Sequence, residues 1–401
     1  MNLHSDYPYW MIREGFKNAF PTLCEPLKTD VLIVGGGISG ALIGQRLHRA
    51  GMDITILDKR HIGFGSTSAS TAMLQYEIDT PLFRLMEMRG ERAAIRSYEL
   101  CAEAIGKIGK LASKVPEKSG FEAHPSLFYA STKKDVKEII EPEYKARKAA
   151  GFKVKMLDEA AVESKFGFRA PAAILSELAA HVNPYQLTQY LLKKLQKDGV
   201  RIFDLTEVES WQPLKKSVEL RTTQGHSITA KFLIVACGYE SQNYLPKDVT
   251  QLNSTYAIVS KPMETTKNFW YKNALIWETK HPYLYIRTTR DNRILVGGRD
   301  EPFYNPEKRD ALLPRKHKQL EADFQKLFPN LLYQTDFAWA GTFGETKDGL
   351  PYIGSYNHPR TLFAMGYGGN GITFSVAAAD ILHDIIMGKK SSDIGLFAFD
   401  R

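Results

Sequence analysis

The first strongly patterned stretch is "DVLIVGGGISGALIGQRLHRAGMDITILDKR", Asp30 to Arg60. "VLIV" is an unbroken apolar run of β-branched and leucine residues, which predicts a buried strand. Polar and apolar positions then follow a helical period, with Ala41, Leu42, Leu47 and Ala50 available for burial and Gly51 at a helix C-cap position. "DITIL" predicts a second strand. A long helical pattern occupies Pro81 to Lys114, and "SLFYAST" reads as a strand beyond it. "NPYQLTQYLLKKLQKDGVRIFD" reads as helix, glycine cap and strand, with Pro184 near the helix start. "TEVESWQPLKKSVELRTTQGHSITAKFLIVACG" predicts a β-meander returning to a buried strand. Strand patterns continue in "TYAIVS", "YLYIRTT" and "RILVGG", and a helix is expected between Arg315 and Phe328. The order predicts an α/β fold. Segments 28–80, 176–246 and 335–401 form a discontinuous Rossmann-like domain. Segments 81–175 and 247–334 form an inserted antiparallel-sheet domain, and residues 1–27 are an N-terminal extension.

Gly35, Gly37 and Gly40 match G-x-G-x-x-G between the first strand and the helix. Gly35 permits the tight turn, Gly37 admits a pyrophosphate to the backbone, and Gly40 lets the helix pack on the strand. The amides around Ile38 and Ser39 then face an anion at the helix start. Asp58, at the end of the second strand with Lys59 behind it, is placed to accept hydrogen bonds from a ribose. The motif specifies an adenine dinucleotide without choosing NAD or FAD.

Composition changes this picture little. Among 401 residues, 43% hydrophobic and 24% charged is ordinary for a globular chain. No apolar run reaches the length of a membrane span, and the N-terminus makes a poor signal peptide. Cys24, Cys101 and Cys237 form no C-x-x-C pair, which fits a reducing, cytoplasmic setting; no metal is expected. The net charge of +8 is spread in short groups that read as solvated helix faces, so no nucleic-acid partner is expected.

A second glycine-rich turn, "GYGGNGITFS", lies near the C-terminus. Together with "VLIVGGGISG", "GSTSASTAML", "HVNPYQL…GVRI", "FLIVACG" and "WAGTFGETKDGLPYIG", it resembles the D-amino-acid oxidase and glycine oxidase superfamily of FAD enzymes. That superfamily includes sarcosine oxidases and γ-glutamylputrescine oxidase. The resemblance runs from about Asp30 onward and implies FAD. It places Ser66, Thr67 and Ser68 at phosphate and ribityl oxygens, and Thr71, Ala72 and Met73 beside the flavin. Val208 is placed at the adenine, with Ala236, Cys237 and Gly238 closing over the cofactor. Gly341 belongs to the "WAG" stretch. Gly366, Gly368, Gly369, Asn370, Gly371 and Ile372 form the turn that meets the flavin ring, where amide dipoles stabilise the charge of reduction. Neither "GFGSTSASTAML" nor the C-terminal turn holds a His or Cys for covalent attachment, so noncovalent FAD is expected.

The resemblance also implies oxidation of a C–N bond, in which hydride passes to flavin N5 and the imine is hydrolysed. The substrate is then a small-molecule amine or amino acid, and oxygen or another acceptor takes the electrons. Tyr285 matches a family tyrosine over the active site. Arg287 and Thr289 share its strand face by alternation, so Arg287 is a candidate carboxylate ligand. In glycine oxidase an arginine follows the "WAG" motif, but Phe343 stands in that slot here. Another arginine position in relatives is Gly369. The loss of both weakens the case for glycine or a free D-amino acid. Oxidation of a 2-hydroxy acid, a tRNA-modifying oxidation and a non-catalytic flavoprotein subunit remain alternatives.

Overall fold

The computed structural model describes residues 1–5, 7–115, 119–264 and 268–401. Two sheets organise the chain. In the first, the strand Leu27–Val34 lies between Ile54–Leu57 and Ser227–Val235, parallel to both. Arg201–Phe203 extends it parallel to Ile54–Leu57, and Thr361–Met365 pairs parallel with Ser227–Val235 on the other side. The chain order therefore reverses on either side of Leu27–Val34. In an open parallel sheet, such a reversal opens a crevice at the carboxyl ends of the strands. The "VLIV" run is buried on both faces, as a central parallel strand requires.

Helices Ile38–His48, Pro184–Lys197 and Gly371–Ile386 pack on this sheet. Asn183 caps the second of these, its side chain accepting from the Gln186 amide at 3.0 Å, and Pro184 occupies the first turn. The Pro81 to Lys114 pattern divides at Gly90 into Leu82–Arg89 and Glu91–Ala112. Both helices bury their apolar faces in the core of the first sheet, where Tyr98 and Cys101 sit with Leu382. They thus depart from the sheet-domain segment expected at 81–175.

The second sheet is mixed. It runs from Thr335–Glu345 through Gln251–Ser260, Ile294–Glu301, Tyr285–Thr288, Leu275–Glu278, Glu122–Tyr129 and Ala172–His181 to Met73–Gln75. Met73–Gln75, Ala172–His181 and Thr335–Glu345 belong wholly to it, which moves the expected boundaries at 80, 175 and 335. A helix, Pro306–Leu327, covers one face and buries Leu320 and Phe324 against Ile258 and Val296. It starts earlier than the expected Arg315 and carries Pro314 inside. A proline normally breaks a helix at that point, but here the apolar stripe on both sides stays packed on the sheet. Among the described residues no helix is long and apolar enough to cross a membrane.

The N-terminal extension is a tie between elements. His4 bridges Gly341, and the Trp10 indole donates to the Ser70 carbonyl at 2.7 Å. Arg13 reaches Asp291 at 2.8 Å, and Glu14 accepts from Asn183 at 2.9 Å.

Candidate active site: a cleft between the two sheets

A long cleft runs from the carboxyl ends of the parallel strands to the face of the second sheet. At its nucleotide end the helix Ile38–His48 begins at Gly37 with no side-chain cap. The Ile38 amide donates to Thr67 Oγ1 at 3.0 Å, and the helix start with its partial positive charge opens on the cleft. Asp58 is fixed from behind: the Gly36 amide donates to it at 2.7 Å and the Arg60 amide at 2.8 Å. Burial pushes its carboxyl up to about 6, against the pull of those two amides. The charged side chains at this end satisfy one another. Arg60 forks onto Glu240 with two bonds of 2.8 Å, and Lys59 reaches the same carboxylate at 3.1 Å. Burial alone would raise Glu240, but its bonds to Arg60 outweigh that and hold it at about 2.

At the inner end, the turn Gly368–Asn370 leads into the helix Gly371–Ile386, which also begins without a side-chain cap. Asn370 Nδ2 ties the turn to the segment just beyond the strand Met73–Gln75 by donating to the Glu77 carbonyl at 2.8 Å. Gly371 has ordinary helical φ, so the backbone does not demand glycine there. A Cβ at this position would meet nothing nearer than Tyr367 Cβ at 3.9 Å, so the space in front of it is open. The strand side supplies Trp277, Tyr283, Tyr285, Thr255, Asp300 and Phe343. Burial raises the phenols of Tyr283 and Tyr285, which keeps both neutral.

Four residues named from the sequence stand outside the cleft lining: Gly40, Ser68, Gly366 and Arg287. Gly40 packs helix on strand, since a Cβ there would run into the Gly35 carbonyl. The Ser68 hydroxyl turns away to the Gly65 carbonyl at 2.9 Å. Gly366 turns the chain at φ +74, where a Cβ would meet Thr346 and Thr250 rather than a ligand. Arg287 shares its strand face with Tyr285, as alternation requires, but that face runs on past the cleft. Its guanidinium lies 5.5 Å from the Trp10 ring and lines a separate cavity with His181 and Arg13. Trp10, bonded to Ser70, stands between the two spaces. The other predicted residues line the cleft, from Gly35 and Gly37 through Val208 to Ile372. Cys237 is among them, its thiol donating to the Val34 carbonyl and raised by burial, hence unreactive.

Sequence reasoning missed Asp79, Tyr283 and Asp300. Tyr283 was legible in principle, being two residues from Tyr285 and so on the same face. Asp79 and Asp300 reach the cleft only through the fold. Away from the cleft, Glu122, His124 and His181 offer ligand atoms within 4.8 Å of one another, with Arg290 3.2 Å from Glu122.

The residues present fit a long dinucleotide: two uncapped helix starts, an acceptor fixed at the end of the second strand, and open space before Gly371. The model of the family described as DAO, FAD dependent oxidoreductase, matches residues 30–385. The chain belongs to this family. At 24% identity it is similar to γ-glutamylputrescine oxidoreductase of Escherichia coli, over 92% of this chain and 86% of that protein. It is equally similar to glycine oxidase of Bacillus subtilis, covering 92% of this chain and 96% of the relative. Glycine oxidase from Geobacillus kaustophilus superposes with a TM-score of 0.76 at 20% identity, over 94% of this chain and 99% of that one. The fold of this FAD-dependent oxidoreductase is therefore that of its family. Lys59 and Arg60, the lysine and arginine among the cleft's lining residues, both sit at the nucleotide end.

Proposed function

We propose that this oxidoreductase oxidises the C–N bond of an amine that carries no carboxylate next to the reacting carbon, using noncovalent FAD. The observation that carries this reading is that, among the described residues, no lysine or arginine lines the inner cleft. A carboxylate brought there would lose its hydration without a bidentate partner. Phe343 stands in the slot that the family resemblance gives to an arginine, and Arg287 lies against Trp10 outside the cleft lining. The name of the γ-glutamylputrescine relative supports an amine, and that of the glycine oxidases supports C–N chemistry in general.

Bound FAD supplies a two-electron acceptor for the hydride from the carbon beside nitrogen. The chain does the rest by position and field. Trp277, Tyr283, Tyr285 and Phe343 wall the inner cleft and displace water from the reacting carbon. The start of Gly371–Ile386 has no side-chain cap, so its amide dipoles would stabilise negative charge on a flavin held there. The neutral phenols donate hydrogen bonds without competing for the hydride. As the C–H pair leaves with the hydride, the nitrogen lone pair becomes the C=N bond of an iminium, and water hydrolyses that to a carbonyl compound, an amine and a proton. Oxygen or another acceptor completes the cycle.

The test is anaerobic bleaching of the flavin absorbance by a panel of primary and secondary amines, amino acids and 2-hydroxy acids. Bleaching by amines ahead of the other two classes is expected. Bleaching by 2-hydroxy acids alone would overturn the reading. Acid precipitation should release the flavin into the supernatant, and colour remaining in the pellet would refute noncovalent attachment.

A further inference from the structure

The fold shows how it treats a carboxylate that it buries for its own stability. Glu77 and Glu143 are fully buried, and Arg147 lies between them at 3.3 and 2.6 Å. Glu77 also lines the cleft, with its Oε2 unpartnered, but it keeps Arg147. Among the described residues Asp79 and Asp300, which line the inner cleft too, have no such ion pair. Asp79 accepts from the Tyr283 hydroxyl at 2.9 Å and from the Gly369 amide at 2.8 Å. It also fills the volume that a side chain at Gly369 would take, since a Cβ there would stand 2.8 Å from Asp79 Oδ1 and 3.2 Å from the Tyr283 hydroxyl. Relatives were expected to carry a cation at this turn position. Here the same space holds a negative charge.

Asp300 has less support still. Its Oδ1 is buried and has no hydrogen-bond partner. The nearby Lys316 ammonium is spent on Glu301 and on the Arg299 carbonyl at 2.8 Å. Burial pushes the Asp300 carboxyl up to about 7; the Thr255 hydroxyl opposes this, and Glu345 and Asp79 add to it. A buried carboxylate whose nearby ammonium is already paired elsewhere, and whose other charged neighbours are carboxylates, is costly unless a ligand completes it. The charge of Asp300 acts on the phenols of Tyr283 and Tyr285, and Trp277 lines the same cleft; aromatic ring faces attract cations.

We infer that the substrate carries a second ammonium group besides the nitrogen that is oxidised, and that Asp300 is its counter-ion between the rings of Tyr283, Tyr285 and Trp277. The ligand class is a linear aliphatic diamine or longer polyamine. Asp79 adds its negative field while holding the Gly369 turn. This inference rests on the amine reading above and narrows it.

The test compares anaerobic flavin reduction by linear diamines and by monoamines of equal chain length, using the FAD-loaded protein. A charge-assisted pair in this setting predicts that diamines are favoured about ten- to a hundred-fold in reduction rate over dissociation constant. In Asp300→Asn that ratio should collapse to within about threefold. The wild-type comparison needs no variant, so poor folding of Asp300→Asn would leave the inference exposed to refutation. Monoamines that reduce the flavin as well as diamines would overturn it while leaving amine oxidation standing. Failure of every amine would instead remove the amine reading. A diamine preference that survives intact in a folded Asp300→Asn would overturn the role of Asp300.

Discussion

The two ends of the cleft both begin a helix at a glycine turn, yet they are finished differently. At the nucleotide end the protein completes itself. Gly40 faces the Gly35 carbonyl, and Gly36 faces Ile62 and Asp58. Lys59 and Arg60 pair with Glu207 and Glu240. At the inner end the protein stops short: the space before Gly371 is open, and Asp300 has an oxygen without a partner. The first glycines are therefore required by the fold itself, and the last by what the fold leaves room for. Ligand discrimination belongs to the inner end, where the unpartnered group is a carboxylate and its missing partner carries an energetic cost.

The largest effect is expected from Gly40→Val. Its Cβ would collide with backbone that cannot move without displacing the parallel strand. Loss of more than about 4 kcal/mol is expected, seen as insoluble protein or loss of a cooperative melt. A folded Gly40→Val with near-normal melting would break the comparison at its first term.

Gly371→Val should invert the pattern. The position has helical φ and free space, so the FAD-free protein should melt within about 1 kcal/mol of wild type. The branched side chain would project into the cleft, and FAD affinity should fall at least about tenfold, measured by equilibrium dialysis. Full flavin retention would show that this turn does not meet the cofactor. Unfolding of the FAD-free variant would show that its glycine serves the fold after all.

These two contrasts explain what could be read from the chain. The first loop was legible because strand, turn, helix and acid are contiguous, and local spacing carries their geometry. The second turn was legible as a turn, but not its contents, because Asp79 arrives from the other end of the sequence. Alternation correctly set Tyr285 and Arg287 on one face. It could not say where along that face the cleft ends, which Trp10 of the N-terminal extension decides. The helix Pro306–Leu327 starts nine residues before the expected Arg315 and runs through Pro314, a breaker by local rules that the packing of Leu320 and Phe324 overrides.

A smaller effect should separate the ends by pH. Asp300 titrates at about 7 in the fold, against about 3.9 in an unfolded chain. The native state thus binds more protons between those values, and stability falls as pH rises from about 4 to about 7. In cofactor-free protein Asp58, raised to about 6, acts in the same direction. Asp300→Asn should remove its own share, leaving the variant more stable than wild type by on the order of 2–4 kcal/mol above pH 7 and nearly equal to it at pH 4. Thermal melts across this range measure the difference. A constant offset at all pH values would mean that Asp300 is not a buried, uncompensated acid.

The smallest effect is expected from Arg287→Met, the residue that alternation brought to mind and the fold carried elsewhere. Arg287 is 1% exposed, and its Nε and Nη2 have no partners. Its hydrogen bond, from Nη1 to the Thr288 carbonyl, is long at 3.4 Å. Burial lowers its pKa to about 10, so the fold holds this charge at a cost. Methionine keeps the contact with Trp10 and removes the desolvated charge. The melt should therefore change by no more than about 1 kcal/mol in the destabilising direction, and a gain is allowed by the same reasoning. Such tolerance would be denied to Arg147, whose removal strands Glu77 and Glu143. Amine oxidation by Arg287→Met should match wild type, since Trp10 separates the side chain from the cleft. A tenfold loss of kcat/KM with an unchanged melt would place Arg287 back at the substrate. That result would also return a cation to the end of the cleft from which the amine reading excludes one.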